Sequence, residues 1–176
     1  MSGQAFLDRL KQRFGDQISG ANFEAIDPWV EVLPAGLTDV CRYLRDEPDL
    51  AFNMLNCITV VDYFEPDPKK AGKTGWDPHL EVVYHLWSMP HKQSLVLKVM
   101  LPRWKGDVPG ELPEVPSVAG IWSTADWHER ETFDLSGVRF IGHPNLRRIL
   151  CPEDWVGYPL RKDYEMPLEY HGIRGR

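Results

Sequence analysis

The sequence predicts an α+β fold: a mixed or antiparallel β-sheet with helices packed on it, in the order α-β-β-α-β-β-β-α, followed by a long irregular C-terminal tail. Three observations carry this expectation. Apolar residues recur at helical spacing in some stretches and alternate at strand spacing in others, and both periods fade after residue 137. The chain therefore divides, on this reading, into a folded unit over 1–137 and an extended tail over 138–176.

Each element has its own justification. From Gln4 to Gly15, Phe6, Leu7, Leu10 and Phe14 share a helical face, and Gly15 is a natural stop. Ile18 to Phe23 and Trp29 to Val32 read as short strands around an Asp27-Pro28 turn. Leu37, Val40, Cys41 and Leu44 mark a second helix that stops before Asp46-Glu47-Pro48-Asp49. Asn53 to Phe64 is β-branched and uncharged until Asp62, which predicts a central strand. Glu65 to Pro78 reads as a mobile surface insertion. Leu80 to Trp87 and Ser94 to Leu101 alternate around a short linker with Pro90, which predicts an antiparallel hairpin. Four prolines between Pro102 and Pro116 end the sheet. Ser117 then offers an N-cap, and Val118, Ile121, Trp122 and Ala125 predict an amphipathic helix to Leu135, closed by Ser136-Gly137. One helical turn is expected at Leu146 to Leu150. The remaining tail keeps Trp155, Tyr158, Tyr164 and Tyr170 among prolines, glycines and charges, and such aromatics persist only if something covers them.

Composition narrows the function. The chain has 176 residues, 43% of them hydrophobic, and is long enough to build a core without disulfides or metals. A net charge of −6 argues against nucleic acid as the main partner. No apolar run is long enough to span a membrane, and Met1 to Lys11 lacks the apolar core of a secretory signal. The three cysteines, Cys41, Cys57 and Cys151, form no CxxC and read as reduced thiols.

Few motifs point to chemistry. Gly72-Lys73-Thr74 ends like a phosphate loop, but Asp67 and Pro68 stand where its glycine and backbone donors should be. His128-Glu129 begins like a zinc-protease helix, but Thr132 replaces the second histidine. No GxSxG or GxGxxG is present. One oddity stays open. Glu129 occupies an apolar stripe, where it either caps a backbone or arginine inside the fold, pairs across a contact with another chain, or serves acid–base or metal chemistry. Arg130 can pair with Asp126 or Asp134. His143 before Pro144 is a turn residue or a ligand. Arg147, Arg148, Arg161 and Lys162 form a basic patch that is either solvated or docks on an acidic surface.

Read together, Trp127-His128-Glu129-Arg130-Glu131-Thr132-Phe133-Asp134-Leu135-Ser136-Gly137-Val138 resembles the W-x-E-R-E-x-x-D-x-x-G-[IV] signature of the 30 kDa subunit of respiratory complex I, the proton-pumping NADH:quinone oxidoreductase of bacteria. The likeness continues through Phe140, Gly142-His143-Pro144, Leu146-Arg147-Arg148-Ile149-Leu150, Asp154-Trp155, Gly157 and Pro159-Leu160-Arg161-Lys162-Asp163-Tyr164. Ser136 and Cys151 are small departures.

The resemblance implies an accessory peripheral-arm subunit with no catalytic residues of its own. It implies no cofactor in this chain, with FMN and iron–sulfur clusters in neighbouring subunits. The implied partner is chiefly the 49 kDa-type quinone-site subunit, which the resemblance has the 138–176 tail wrap, with membrane association only through the complex, at the cytoplasmic face of the bacterial membrane. The residues expected at the contact are Glu129, Arg130, Glu131, His143, Arg147, Arg148, Trp155, Arg161, Lys162 and Tyr164. Three rivals compete: the equivalent subunit of a membrane-bound hydrogenase or formate-hydrogen lyase, an adaptor of another complex, and a free-standing zinc hydrolase using His128 and Glu129.

Overall fold

The computed structural model describes residues 3–175. Helix α1 (Gly3–Phe14) leads into β1 (Ile18–Asn22) and β2 (Trp29–Val32), then α2 (Leu37–Asp46), β3 (Met54–Tyr63) and the single turn α3 (Pro68–Ala71). The long strands β4 (His79–Ser88) and β5 (Gln93–Pro102) follow. After β6 (Glu114–Pro116) come α4 (Ala125–Ser136), β7 (Arg139–Ile141) and a terminal hairpin of β8 (Glu169–Tyr170) and β9 (Ile173–Arg174). This is the expected α+β class.

Five strands form one mixed sheet in the order β1-β2-β5-β4-β3. Only the β2–β5 pair is parallel. The β4–β5 hairpin keeps unbroken register from His79 opposite Pro102 to Ser88 opposite Gln93. The segment expected to be a central strand, β3, is instead the sheet edge, and β4 and β5 hold the centre. Its burial alternates in consequence: Leu55 and Ile58 are covered, while Asn56, Thr59 and Val61 are exposed.

The helices cover one face of the sheet. Val30, Val32, Leu80, Val82, Tyr84, Leu86, Leu97 and Val99 pack there against Leu10 of α1 and Leu37, Val40 and Leu44 of α2. Each such aliphatic contributes about 1.5–3 kcal/mol by leaving water. On the other face Val83 and Val96 are buried but stand outside that core. Lys98 there pairs with Glu81 at 3.0 Å and lies over the Trp29 ring. The expected insertion after β3 carries α3, capped by the Asp67 carboxylate, and Trp76 packs edge-on to Tyr63.

Three expectations near the C-terminus need correction. The last long helix starts at Ala125, not Val118: residues 118–124 form two tight turns instead, closed by Ile121 and Trp122 N–H bonds to Val118 O and by Ala125 N–H to Trp122 O. Gly120 favours this break, because a residue without Cβ gains least from helical geometry. Residues 146–150 form no helical turn, because their N–H groups turn toward a carboxylate on α4. Finally, the fold does not end at 137. Val138 and Phe140 belong to the core, and β7 pairs in parallel with β6.

Candidate functional site

The signature residues lie on α4 and the chain that follows it, so the site is built from that helix outward. Two side chains fix the entrance to α4. Trp122 Nε1–H donates to Phe52 O at 3.0 Å, and the Thr124 hydroxyl donates to Leu55 O at 3.1 Å, tying the entrance to the start of β3. Glu129 then points into the protein, with 0% exposure. Its carboxylate accepts the Ser117 hydroxyl at 2.5 Å and the Val118 N–H at 2.7 Å, pulling the 117–118 corner onto the helix. Burial pushes this carboxyl up to about 7, against the pull of those two bonds.

One turn away, Asp126 holds one arginine and one histidine. Arg130 reaches it at 3.1 Å, and His143 Nε2 at 3.0 Å. His143 Nδ1 accepts the Asn145 N–H, which leaves Nε2 to carry the ring proton toward Asp126. The Arg130 guanidinium also lies over the Trp127 ring.

Asp134 is the hub of the site. Its Oδ2 accepts three consecutive backbone N–H groups, from Ile149, Leu150 and Cys151, at 2.6–2.9 Å. Its Oδ1 accepts from Arg148 at 2.9 Å. Burial opposes the charge, but these backbone bonds and Arg148 outweigh it and hold the carboxyl below the usual range. Three N–H groups aimed at one oxygen cannot also make helical bonds, which is why 146–150 is not a turn of helix. Arg148 continues to Gly157 O and lies over Tyr158. Gly137 ends α4 with φ +68°, and a Cβ there would collide with the Tyr158 ring at 2.8 Å.

Further on, Arg161 is buried without a carboxylate of its own. It donates to Ser136 O, Gly137 O and Arg103 O, answering the unpaired carbonyls at the end of α4. Burial and nearby Arg103 lower its pKa to about 10. Arg103 in turn forks onto Asp62 at 2.8 and 2.9 Å and onto Asp163 at 2.7 and 3.1 Å. Asp62 also accepts the Lys162 N–H. Residues 148–163 are thus clasped to the domain by two carboxylate–arginine centres, Asp134–Arg148 and Asp62–Arg103–Asp163.

The expected contact residues separate accordingly. Glu129, Arg130 and Arg161 are buried and bonded inside the fold, so they offer no surface to another chain; of the readings open for Glu129, the geometry takes the internal cap. The side chain of His143 is fully covered, and Arg148, Trp155 and Tyr164 are half-buried. Glu131, Arg147 and Lys162 are exposed. Tail aromatics are covered by their own chain: Trp155 packs on Tyr170, Tyr158 on Gly137 and Tyr164 on Gly157. What the tail exposes instead is aliphatic: Leu150, Val156, Leu160, Met166, Leu168 and Ile173 are each 60% exposed or more. Sequence reasoning passed over these, and also the hub role of Asp134. Its paired signal was present, an aspartate and an arginine inside one motif, but their contact spans an irregular segment.

The helix also separates the two residues a zinc hydrolase would need. Glu129 turns inward while His128 faces Glu131 near the surface. Among the described residues, no group of three or more His, Cys, Asp or Glu side chains is placed to hold a metal.

Fold and clasp together define a small α+β scaffold module, one that fixes the course of a long irregular segment. The family model for the respiratory-chain NADH dehydrogenase 30 kDa subunit matches residues 30–170. The C-type subunit of the NADH-quinone oxidoreductase of Chlorobium phaeobacteroides is 41% identical over 97% of this chain and 93% of its own length. Its counterpart in a Roseiflexus species is 44% identical over 93% of this chain and 84% of its own. Among solved structures, a chain of the archaeal membrane-bound sulfane sulfur reductase superposes with a TM-score of 0.67 at 22% identity, covering 93% of this chain and 86% of that one. A trypsin-resistant fragment of Nqo5 superposes at 0.55 and 24% identity, covering 81% and 98%. Both share the fold. The chain belongs to the family of the respiratory-chain NADH dehydrogenase 30 kDa subunit.

Proposed function

We propose that this chain is an accessory peripheral-arm subunit of a proton-translocating NADH:quinone oxidoreductase. It carries no cofactor, leaves FMN and iron–sulfur chemistry to its neighbours, and presents its clasped tail to the 49 kDa-type quinone-site subunit at the cytoplasmic face of the membrane. The observation that carries this reading is the row of exposed aliphatics on a tail that Asp134 and Asp62 already hold by its backbone N–H groups. Ordering a free tail costs about 1–2 kcal/mol per residue. The clasp meets that cost within this chain before any partner arrives, so burying Val156, Leu160 and their neighbours goes directly into affinity.

A tagged copy expressed in its native cell tests the reading. Purification brings down an assembly with flavin, iron and NADH:quinone reductase activity, and a photo-crosslinker at Leu160 joins the 49 kDa-type subunit. The isolated chain has no visible absorbance. A tagged chain that purifies alone, or that carries its own chromophore, sinks the proposal.

A further inference from the structure

Helix α4 leaves two of its side chains in water. Between Ala125 and Ser136 only Trp127 and Glu131 are exposed, and they stand one helical turn apart, a spacing that puts Cβ atoms about 5–6 Å from each other. Trp127 is the most exposed of the seven tryptophans, at 62%. Its ring is nonetheless backed. The Arg130 guanidinium lies 4.1 Å from the ring centre, and Arg130 is itself held by Asp126 Oδ2 at 3.1 Å and by Asp126 O at 3.3 Å, with His143 on the same carboxylate. A tryptophan supported in this way is set in place before anything binds, so little side-chain freedom is left to lose. Such anchors dominate the energy of protein contacts.

Glu131 adds a charge without a counter-charge. Among the described residues its one ion-pair contact is His128 at 4.0 Å, and no lysine or arginine reaches it. Its field is felt nearby: burial raises the Cys57 thiol pKa, and Glu131 raises it further. Elsewhere the chain fills such a pairing, a ring beside a carboxylate, with an arginine. Arg103 lies over Phe64 and forks onto Asp62, and Arg148 lies over Tyr158 and bonds Asp134. Trp127 and Glu131 offer the same two groups at the surface. The arginine already on the Trp127 ring, Arg130, pairs with Asp126 instead.

We propose that Trp127 and Glu131 form a second docking point, which takes an arginine of a neighbouring subunit, its guanidinium stacked on the indole and bonded to the carboxylate. Arginine suits both groups at once, because its planar fork stacks on rings and pairs with carboxylates, whereas the lysine ammonium is a point charge. This deepens the subunit reading and rests on it, but it uses residues separate from the tail.

Photo-crosslinking in the native assembly tests it. A benzoylphenylalanine in place of His128 leaves Trp127 and Glu131 unchanged, and should join a peptide of another subunit that contains an arginine. A joined peptide without arginine, a second copy of this chain, or no crosslink in an assembly that purifies intact overturns the docking proposal and leaves the subunit reading standing. Failure of the natural tagged chain to bring down any assembly overturns the subunit reading itself. Recovery of the assembly gives a second measurement. Trp127→Ala lowers it at least ~10-fold and Trp127→Phe less than ~3-fold, since phenylalanine keeps a ring to stack on. Trp127→Ala combined with Glu131→Gln loses less than the product of the two single losses, because both groups hold one guanidinium. Normal recovery of Trp127→Ala, single losses that simply multiply, or a loss matched by a lower urea midpoint of the isolated chain counts against the proposal.

Discussion

The sheet and the clasp are held by opposite means. In the sheet, Leu80, Val82, Tyr84, Leu97 and Val99 are buried among other apolar groups, and no single pair is indispensable. In the clasp, a few charged groups each satisfy several partners: Asp134 accepts four hydrogen bonds from separate residues, and Arg161 donates three. Apolar packing degrades gradually when it is trimmed. A buried polar hub fails abruptly, because removing it strands every partner at once.

The sharpest way to break this contrast is Asp134→Ala set against Ile58→Val. Loss of the carboxylate leaves Arg148 and three N–H groups without their acceptor, and the expected cost is about 3–5 kcal/mol in urea unfolding. Trimming one methylene from Ile58 costs about 0.5–1.5 kcal/mol. Limited proteolysis adds a regional readout: in Asp134→Ala, cleavage moves to 148–163 while the sheet stays resistant. Equal costs for the two variants, or unchanged protection of 148–163, would show that the clasp is not a hub.

The same contrast explains what the sequence made legible. Periodicity located α1, α2, β1, β2 and the β4–β5 hairpin nearly residue by residue, because apolar burial repeats at the spacing of the element that does the burying. It misplaced β3, because a run apolar on both sides is equally compatible with a central strand and with an edge strand that a helix, here α4, flanks. It extended α4 backward to Val118, because the 118–124 turns bury Val118 and Trp122 at positions a helix would also choose. Clasp geometry was not legible at all. Asp134 with Ile149–Cys151, and Asp62 with Lys162, join residues far apart in sequence through backbone groups, which carry no residue-type signal. The motif marked the right helix, but not which of its charges face inward.

A smaller effect separates the two regions by pH. The Glu129 carboxyl has its folded pKa raised from 4.5 to about 7, so the folded state holds a proton that the unfolded state releases earlier. Its contribution is therefore fully present below pH 4.5 and is lost as pH rises to about 7, by at most about 3 kcal/mol. Asp134 and Asp163 have lowered values and act with the opposite sign, losing their contribution only as pH falls below the ordinary aspartate range. Glu129→Gln keeps an acceptor for Val118 and removes the titration. Urea midpoints between pH 4.5 and 7 should fall with pH in the natural chain and stay flatter in Glu129→Gln. Parallel slopes for both chains would mean that the carboxyl is not held protonated by its burial.

The smallest effect on folding comes from the neighbouring position but one, and it sharpens the comparison furthest. Glu131 lies two residues after Glu129 on the same helix, yet its side chain is 50% exposed where Glu129 has no exposure. Glu131→Gln removes a charge with no lysine or arginine contact among the described residues, and should change unfolding stability by no more than about 0.5 kcal/mol. If stability were the only use of the signature, that variant would be silent everywhere. Half exposed on α4, however, the carboxylate is free to meet a basic group from outside, and the variant should lower recovery of the native assembly about threefold to tenfold, with a smaller loss at high salt, where such a pair is already screened. Glu129→Gln reverses the pattern, altering the pH dependence of folding while leaving the contact surface intact. Two glutamates of one motif thus divide the labour between holding the fold and meeting its neighbour, and a Glu131→Gln assembly recovered at full yield and with unchanged salt response would remove that division.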